Sequence, residues 1–254
     1  MIEFPEAMTL SKQLNETIKG KTISTVIAGH TKQKLTWYYG DPKNYQRLLD
    51  HKKIGTATAF GAFVEISAQN INILFRDGVN LRFFKDRSLI PEKHQLLLEF
   101  TDKSLLVAFV QMYGGVGCFI QNELDNTYYT VAKERPSPLS KEFNKGYFTT
   151  LVHDDRVQNV SLKAFLATEQ RIPGLGNGVL QDILFNAQIH PKQKINALSE
   201  TQTQELFRSL KSTLTEMVSK NTVGTPCDVC GSTILKNNYM GGSIYFCPGC
   251  QILE

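Results

Sequence analysis

Gln170-Arg171-Ile172-Pro173-Gly174-Leu175-Gly176-Asn177 decides how the second half of this chain is organised. Two glycines flanking one residue allow positive φ and close backbone approach. Asn177 is a good N-cap for a helix predicted over Asn177 to Ala187. The free N–H groups at such a helix start form an anion site, and a nucleic-acid phosphate is a natural occupant. Taken alone, G-x-G-N reads equally well as a tight helix–helix connection. Its surroundings are helical on both sides. Ser161 to Thr168 is short and apolar along one side. Ser199 to Ser219 opens on Ser199-x-x-Gln202, a capping box, and then carries Leu206, Leu210, Leu214 and Met217 on one face, which reads as core.

The first half has a different period. Pro5 to Lys19 is a predicted helix, with Leu10, Leu14 and Ile18 recurring every four positions and Gly20 stopping the run. Short β-branched or aromatic segments follow: Thr22 to Ile27, Lys34 to Tyr39, Ala62 to Ile66, Ile71 to Phe75, Leu81 to Phe84, Gln95 to Phe100 and Leu105 to Val110. So many short strands behind one helix predict an α+β chain with a β-sandwich or barrel, not a parallel α/β sheet. Glu134-Arg135-Pro136-Ser137-Pro138 is the linker candidate, because two prolines fit neither a helix interior nor a central strand.

Near the end stand Cys227, Cys230, Cys247 and Cys250, two C-x2-C pairs sixteen residues apart. That spacing closes a tetrahedral zinc site on two tight turns, with Ile234, Tyr239, Ile244, Tyr245 and Phe246 as the strands of a small β-hairpin. Two disulfides are the alternative. They would leave Cys118 unpaired, in a chain whose start has no basic signal region. The 254 residues suggest about two domains. With 41% hydrophobic and 20% charged residues, the composition is that of an ordinary globular protein. No run approaches the roughly 18 apolar residues of a membrane span. Reduced cysteines and no targeting segment predict a cytoplasmic protein. The net charge of +4 permits nucleic-acid binding without requiring it.

Three motifs in order carry a resemblance. The run Leu162-Lys163-Ala164-Phe165-Leu166, through Pro173-Gly174-Leu175-Gly176-Asn177, to Asp182-Ile183-Leu184-Phe185 and Ile189-His190-Pro191 resembles the helix–two-turn–helix of the formamidopyrimidine-DNA glycosylase and endonuclease VIII family. Cys247-Pro248-Gly249-Cys250-Gln251 is similar to that family's zinc finger, and Met1-x-Glu3-x-Pro5-Glu6 to its N-terminus. The resemblance implies an N-terminal β-sandwich over residues 1–133, a linker over 134–147, a helix–two-turn–helix domain over 148–225 and a zinc finger over 226–254. It implies duplex DNA across the cleft between the domains, with a damaged nucleotide flipped out, as chemistry on a buried base requires. Lys163, Gly174, Gly176 and Asn177 would hold phosphates, the four cysteines one structural zinc ion, and Glu3 would lie against the lesion's sugar. A monomer suffices for such a cleft.

The chain also departs from the family. The family's N-terminal proline nucleophile is replaced by Ile2, before which Met1 is expected to be retained, so that the Met1 α-amine takes the nucleophile's place. Gly242 stands where the resemblance predicts an arginine at the hairpin tip, and Ala62 where it predicts a lysine. The family's wedge methionine is replaced within Asp77-Gly78-Val79-Asn80 and its arginine–phenylalanine pair within Gln111-Met112-Tyr113-Gly114, leaving Met112 or Tyr113 as a wedge or as plain packing. Nine residues separate Met217 from Cys227, fewer than the family's usual connection, which includes a loop that closes over the flipped base. Three functions follow: a repair glycosylase with weak or absent strand cleavage, a non-enzymatic reader of damaged or abasic DNA, and a zinc ribbon binding RNA or another protein.

Overall fold

The computed structural model describes residues 1–31, 34–220, 230–233, 235–239, 242–246 and 248–249. Helix α1 (Phe4–Thr17) begins behind Glu3, whose backbone N–H donates to the Glu6 carboxylate at 3.1 Å. Pro5 sits in the first turn, where a missing N–H costs nothing.

The strands are β1 (Ile23–Ala28), β2 (Thr36–Tyr39), β3 (Ile54–Phe60), β4 (Phe63–Ala68), β5 (Ile71–Phe84), β6 (Leu96–Phe100) and β7 (Leu105–Ile120), with a short helix α2 (Tyr45–Leu49) before β3. They form one sheet in the order β1-β6-β7-β5-β4-β3, with β2 added parallel to β7. The predicted sandwich or barrel takes the form of a single curled sheet. Its two outer strands nearly meet: Thr22 bridges to Lys53, and the Ile54 N–H donates to the Lys21 carbonyl at 2.8 Å. Ile23 of β1 and Ile54 of β3 therefore share one core with Ile66, Ile73, Phe75, Leu98 and Val116.

The segments read as separate strands at 71–75 and 81–84 are one long strand, β5, paired with a still longer β7. Their ladder breaks once. Asp77 faces Gly114 and Val79 faces Val110, so Gly78 alone spans the stretch that Gln111, Met112 and Tyr113 fill on β7. A bulge of this kind bends the strands and pushes side chains off the sheet.

The helical half holds α3 (Thr127–Glu134), α4 (Lys145–Val152), α5 (Leu162–Ala167), α6 (Asn177–Asn186) and α7 (Glu200–Lys220). Side-chain oxygens of Asn126, Asn144 and Ser161 cap α3, α4 and α5. A second core joins Phe143, Phe148, Phe165, Leu180, Ile183, Leu206, Leu210 and Leu214, and Phe4 of α1 is fully buried in it. The first helix thus serves both cores. Ala7, Leu14 and Ile18 point into the sheet core, while Phe4, with Met8 one turn on, enters the helical core.

Near the chain end β8 (Leu235–Tyr239) and β9 (Gly242–Phe246) form an antiparallel hairpin, Leu235 opposite Phe246 and Tyr239 opposite Gly242. Cys227, Cys247 and Cys250 lie outside the described residues. Among those described, no group of three potential ligands gathers.

Candidate functional site

Glu3 is buried where the two halves meet. Its carboxylate accepts the backbone N–H of Gly178 at 3.1 Å and of Val179 at 2.9 Å, at the start of α6. The Phe4 N–H donates to the Gly174 carbonyl at 2.8 Å, so backbone and side chain together tie the chain start to the Gly-Leu-Gly turn. These bonds revise one expectation. The anion at this helix start is Glu3, and two of the amides assigned to phosphate are already taken. The N-cap is Gly176, one residue earlier than expected, with Asn177 as the exposed first residue of the helix. Among the described residues nothing accepts from the Asn177 N–H, which leaves it and the Asn177 side chain open to an outside acceptor.

Glycine is required twice here. A Cβ on Gly176 would stand 2.4 Å from Glu3 Oε1. Gly174 has φ +84°, and a Cβ there would stand 2.4 Å from the carbonyl carbon of Gly61 in the β3–β4 turn. The sheet half and the helical half therefore touch backbone to backbone at Gly61 and Gly174. Ala62 follows directly in this seam.

Burial pushes the Glu6 carboxyl above its ordinary range, and the nearby Glu3 charge pushes the same way. Its acceptor bond from the Glu3 N–H works against both.

Ile2 and Met1 separate sharply. Ile2 is 4% exposed, lies in the sheet core, and donates its N–H to the Asp77 carbonyl. As a buried side chain on a bonded amide, Ile2 is removed from the set of reacting groups. Met1 is 70% exposed. Asp77 holds φ +58° at the bulge, so this stretch works as a seat for the chain start. Arg76 pairs with Asp77 at 2.5 Å and donates to the Tyr39 hydroxyl at 2.8 Å, which braces that seat.

Met112 is 68% exposed on the bulge, and the Tyr113 hydroxyl stands 3.7 Å from Met1 Sδ. Tyr113 and Trp37 approach with ring centroids 6.1 Å apart. Sequence reading passed over Trp37. A tryptophan in a short edge segment carried no local sign that β2 would run beside β7. Lys163 is exposed on α5 but lines a groove with Gln181, Phe185, His190 and Lys192, beside the middle and end of α6. It is not gathered with Asn177. Gly242 sits at the hairpin tip.

Residues 135–227 match the family described as the formamidopyrimidine-DNA glycosylase H2TH domain. The formamidopyrimidine-DNA glycosylase of Listeria innocua is 25% identical over a 284-residue alignment covering 99% of this chain and 100% of the relative. That of Bacillus licheniformis is 28% identical over 280 residues, covering 99% of both. The Lactococcus lactis Fpg protein, solved in complex with DNA containing an abasic site, has the same fold, with a TM-score of 0.72 over 99% of this chain and 100% of that one at 21% identity. With relatives alike from end to end, and the Gly-Leu-Gly turn inside the matched domain, the chain carries the H2TH domain of the formamidopyrimidine-DNA glycosylases and is similar to these proteins over its whole length.

Proposed function

We propose that the protein is a base-excision DNA glycosylase that acts on damaged, oxidised bases in duplex DNA and releases them chiefly by hydrolysis. The observation that carries this reading is the Glu3 carboxylate, held at the seam by the amides of Gly178 and Val179. The Glu6 backbone N–H at the start of α1 is a further donor to the same carboxylate, through the capping box. A carboxylate so fixed stabilises positive charge developing at C1′ and orients a water molecule toward it. The glycosidic bond breaks, the base leaves with a proton, and the water oxygen bonds to C1′.

The covalent route has less support. Ile2 offers no amine, and the primary α-amine of Met1 is the nearest candidate for an imine. Gly242 brings no cation to the hairpin tip and Ala62 none to the seam, so strand cleavage at the abasic site is expected to be weak. Asn177 supplies the phosphate contact at the turn through its open N–H and side chain, and Lys163 a second contact farther along the duplex. The bulged Met112 and Tyr113 fill the gap left by the flipped nucleotide.

One structural zinc ion on Cys227, Cys230, Cys247 and Cys250 belongs to the same reading. Two observations support it: the described hairpin opens at the Leu235–Phe246 pair, and a Cβ on Gly249 would stand 2.9 Å from the Cys230 Sγ. Zinc there supplies folding energy to a hairpin too small to bury a core. The protein works as a monomer on nucleoid DNA in the cytoplasm.

The test uses duplexes carrying an abasic site, oxidised pyrimidines or oxidised guanine, followed by borohydride. Base release without a trapped adduct, abolished in Glu3→Gln, is the expected result. Lesion-selective binding with no base release from any duplex would make the protein a reader of damage instead.

A further inference from the structure

Trp37 is the sole tryptophan of the chain and is 48% exposed. It belongs to none of the hydrophobic clusters among the described residues. Its strand is nevertheless firmly held. Trp37 lies opposite Gly115 of β7, and the buried Tyr45 hydroxyl is shared between the carbonyls of Tyr39 at 2.7 Å and Val116 at 3.2 Å. The second ring of the pair, Tyr113, is the last residue of the β7 bulge, and its hydroxyl reaches the Met1 sulfur. The two ring planes are inclined at 58°. They form an open corner beside the chain start, built on two strands.

The geometry points to Trp37 as a stacking platform for the nucleobase left unpaired opposite the excised nucleotide, with Tyr113 as the second wall. The inference rests on the glycosylase reading, since it takes the duplex to lie over the chain start. An aromatic face accepts any base, and an orphaned base needs a stacking partner more than it needs hydrogen bonds. The excised base needs the opposite kind of site, enclosed and aligned with its sugar over Glu3. A corner of two inclined rings open to solvent is not that. Nor is it a protein-docking surface, because two rings fall far short of the roughly 1,200 Å² that a specific interface buries.

A single tryptophan makes the test direct. The full-length protein is titrated with fluorescein-labelled duplexes carrying a tetrahydrofuran abasic analogue. In one duplex it faces adenine, and in the other it faces a second tetrahydrofuran. Tryptophan emission and fluorescein anisotropy are read together. Binding of the first duplex is expected to quench Trp37, and binding of the second to leave its emission near the free value. Trp37→Ala should weaken the first complex about tenfold and the second by less than about twofold, with Trp37→Phe recovering most of the loss. Equal quenching by both duplexes, or equal weakening of both by Trp37→Ala, overturns the platform. Lesion-selective anisotropy with unchanged emission also overturns it and leaves the glycosylase reading standing. Anisotropy that does not distinguish lesion duplexes from intact ones removes both.

Discussion

Glu3 settles more of this molecule than any other residue. Its carboxylate occupies the anion site that the Gly-Leu-Gly-Asn sequence creates, 175 positions away along the chain. That pairing explains Gly176, which no turn geometry alone demands, because its φ of −113° is open to any residue. Gly176→Ala is expected to push Glu3 off the Gly178 and Val179 amides. The buried Val179 amide would then be left unsatisfied, at a cost of about 1–3 kcal/mol in urea unfolding. With Glu3 acting as proposed, base release should fall by at least about tenfold, since a displaced acid loses its geometry. Wild-type stability together with wild-type turnover in Gly176→Ala would contradict the arrangement. None of this was legible locally. The sequence offered an anion site and a carboxylate, and only tertiary structure joined them.

Among the elements, α1 matters most, because its first turn divides its side chains between two cores. Phe4 is buried in the cluster of Phe143, Phe165 and Leu180 rather than in the sheet core that Ala7, Leu14 and Ile18 enter. Phe4→Ala is expected to cost about 3–5 kcal/mol, measured by denaturant unfolding. A loss below about 1 kcal/mol would mean that the helical core closes without it. The helix itself was readable from Leu10, Leu14 and Ile18, as was α7 from its capping box and leucine face. The eight-residue helices α3 and α4 were not. Two turns give too little periodicity, although Asn126 and Asn144 marked both starts. The far half of β7 was hidden for another reason. Gly114, Gly115 and Gly117 interrupt the β-branched pattern, yet they are the positions where Val79, Arg76 and Tyr39 press onto the strand. The curl of the sheet was equally invisible, since it comes from pairing between residues far apart in sequence.

At the scale of the whole molecule, stability should carry a signature of Glu6. Burial raises its folded pKa above the ordinary value of 4.5. Between that value and the raised one, the folded state holds a proton that the unfolded state has released. The contribution is therefore full below the ordinary value and is lost as pH rises through the folded pKa. Glu6→Gln keeps an acceptor for the Glu3 N–H and removes the ionisation. Unfolding free energies measured from pH 4 to pH 8 should show the wild type losing ground to Glu6→Gln as pH rises. Parallel profiles would refute the assignment.

The division of α1 between two cores also bears on how the chain matures on the ribosome. Its opening residues emerge first, yet the cavity for the Phe4 ring is assembled from side chains as distant as Leu210 and Leu214. The sheet can collapse early around Ala7 and Leu14 while that aromatic ring stays wet. Vectorial synthesis thus delivers a half that remains unsealed until the last long helix has been translated.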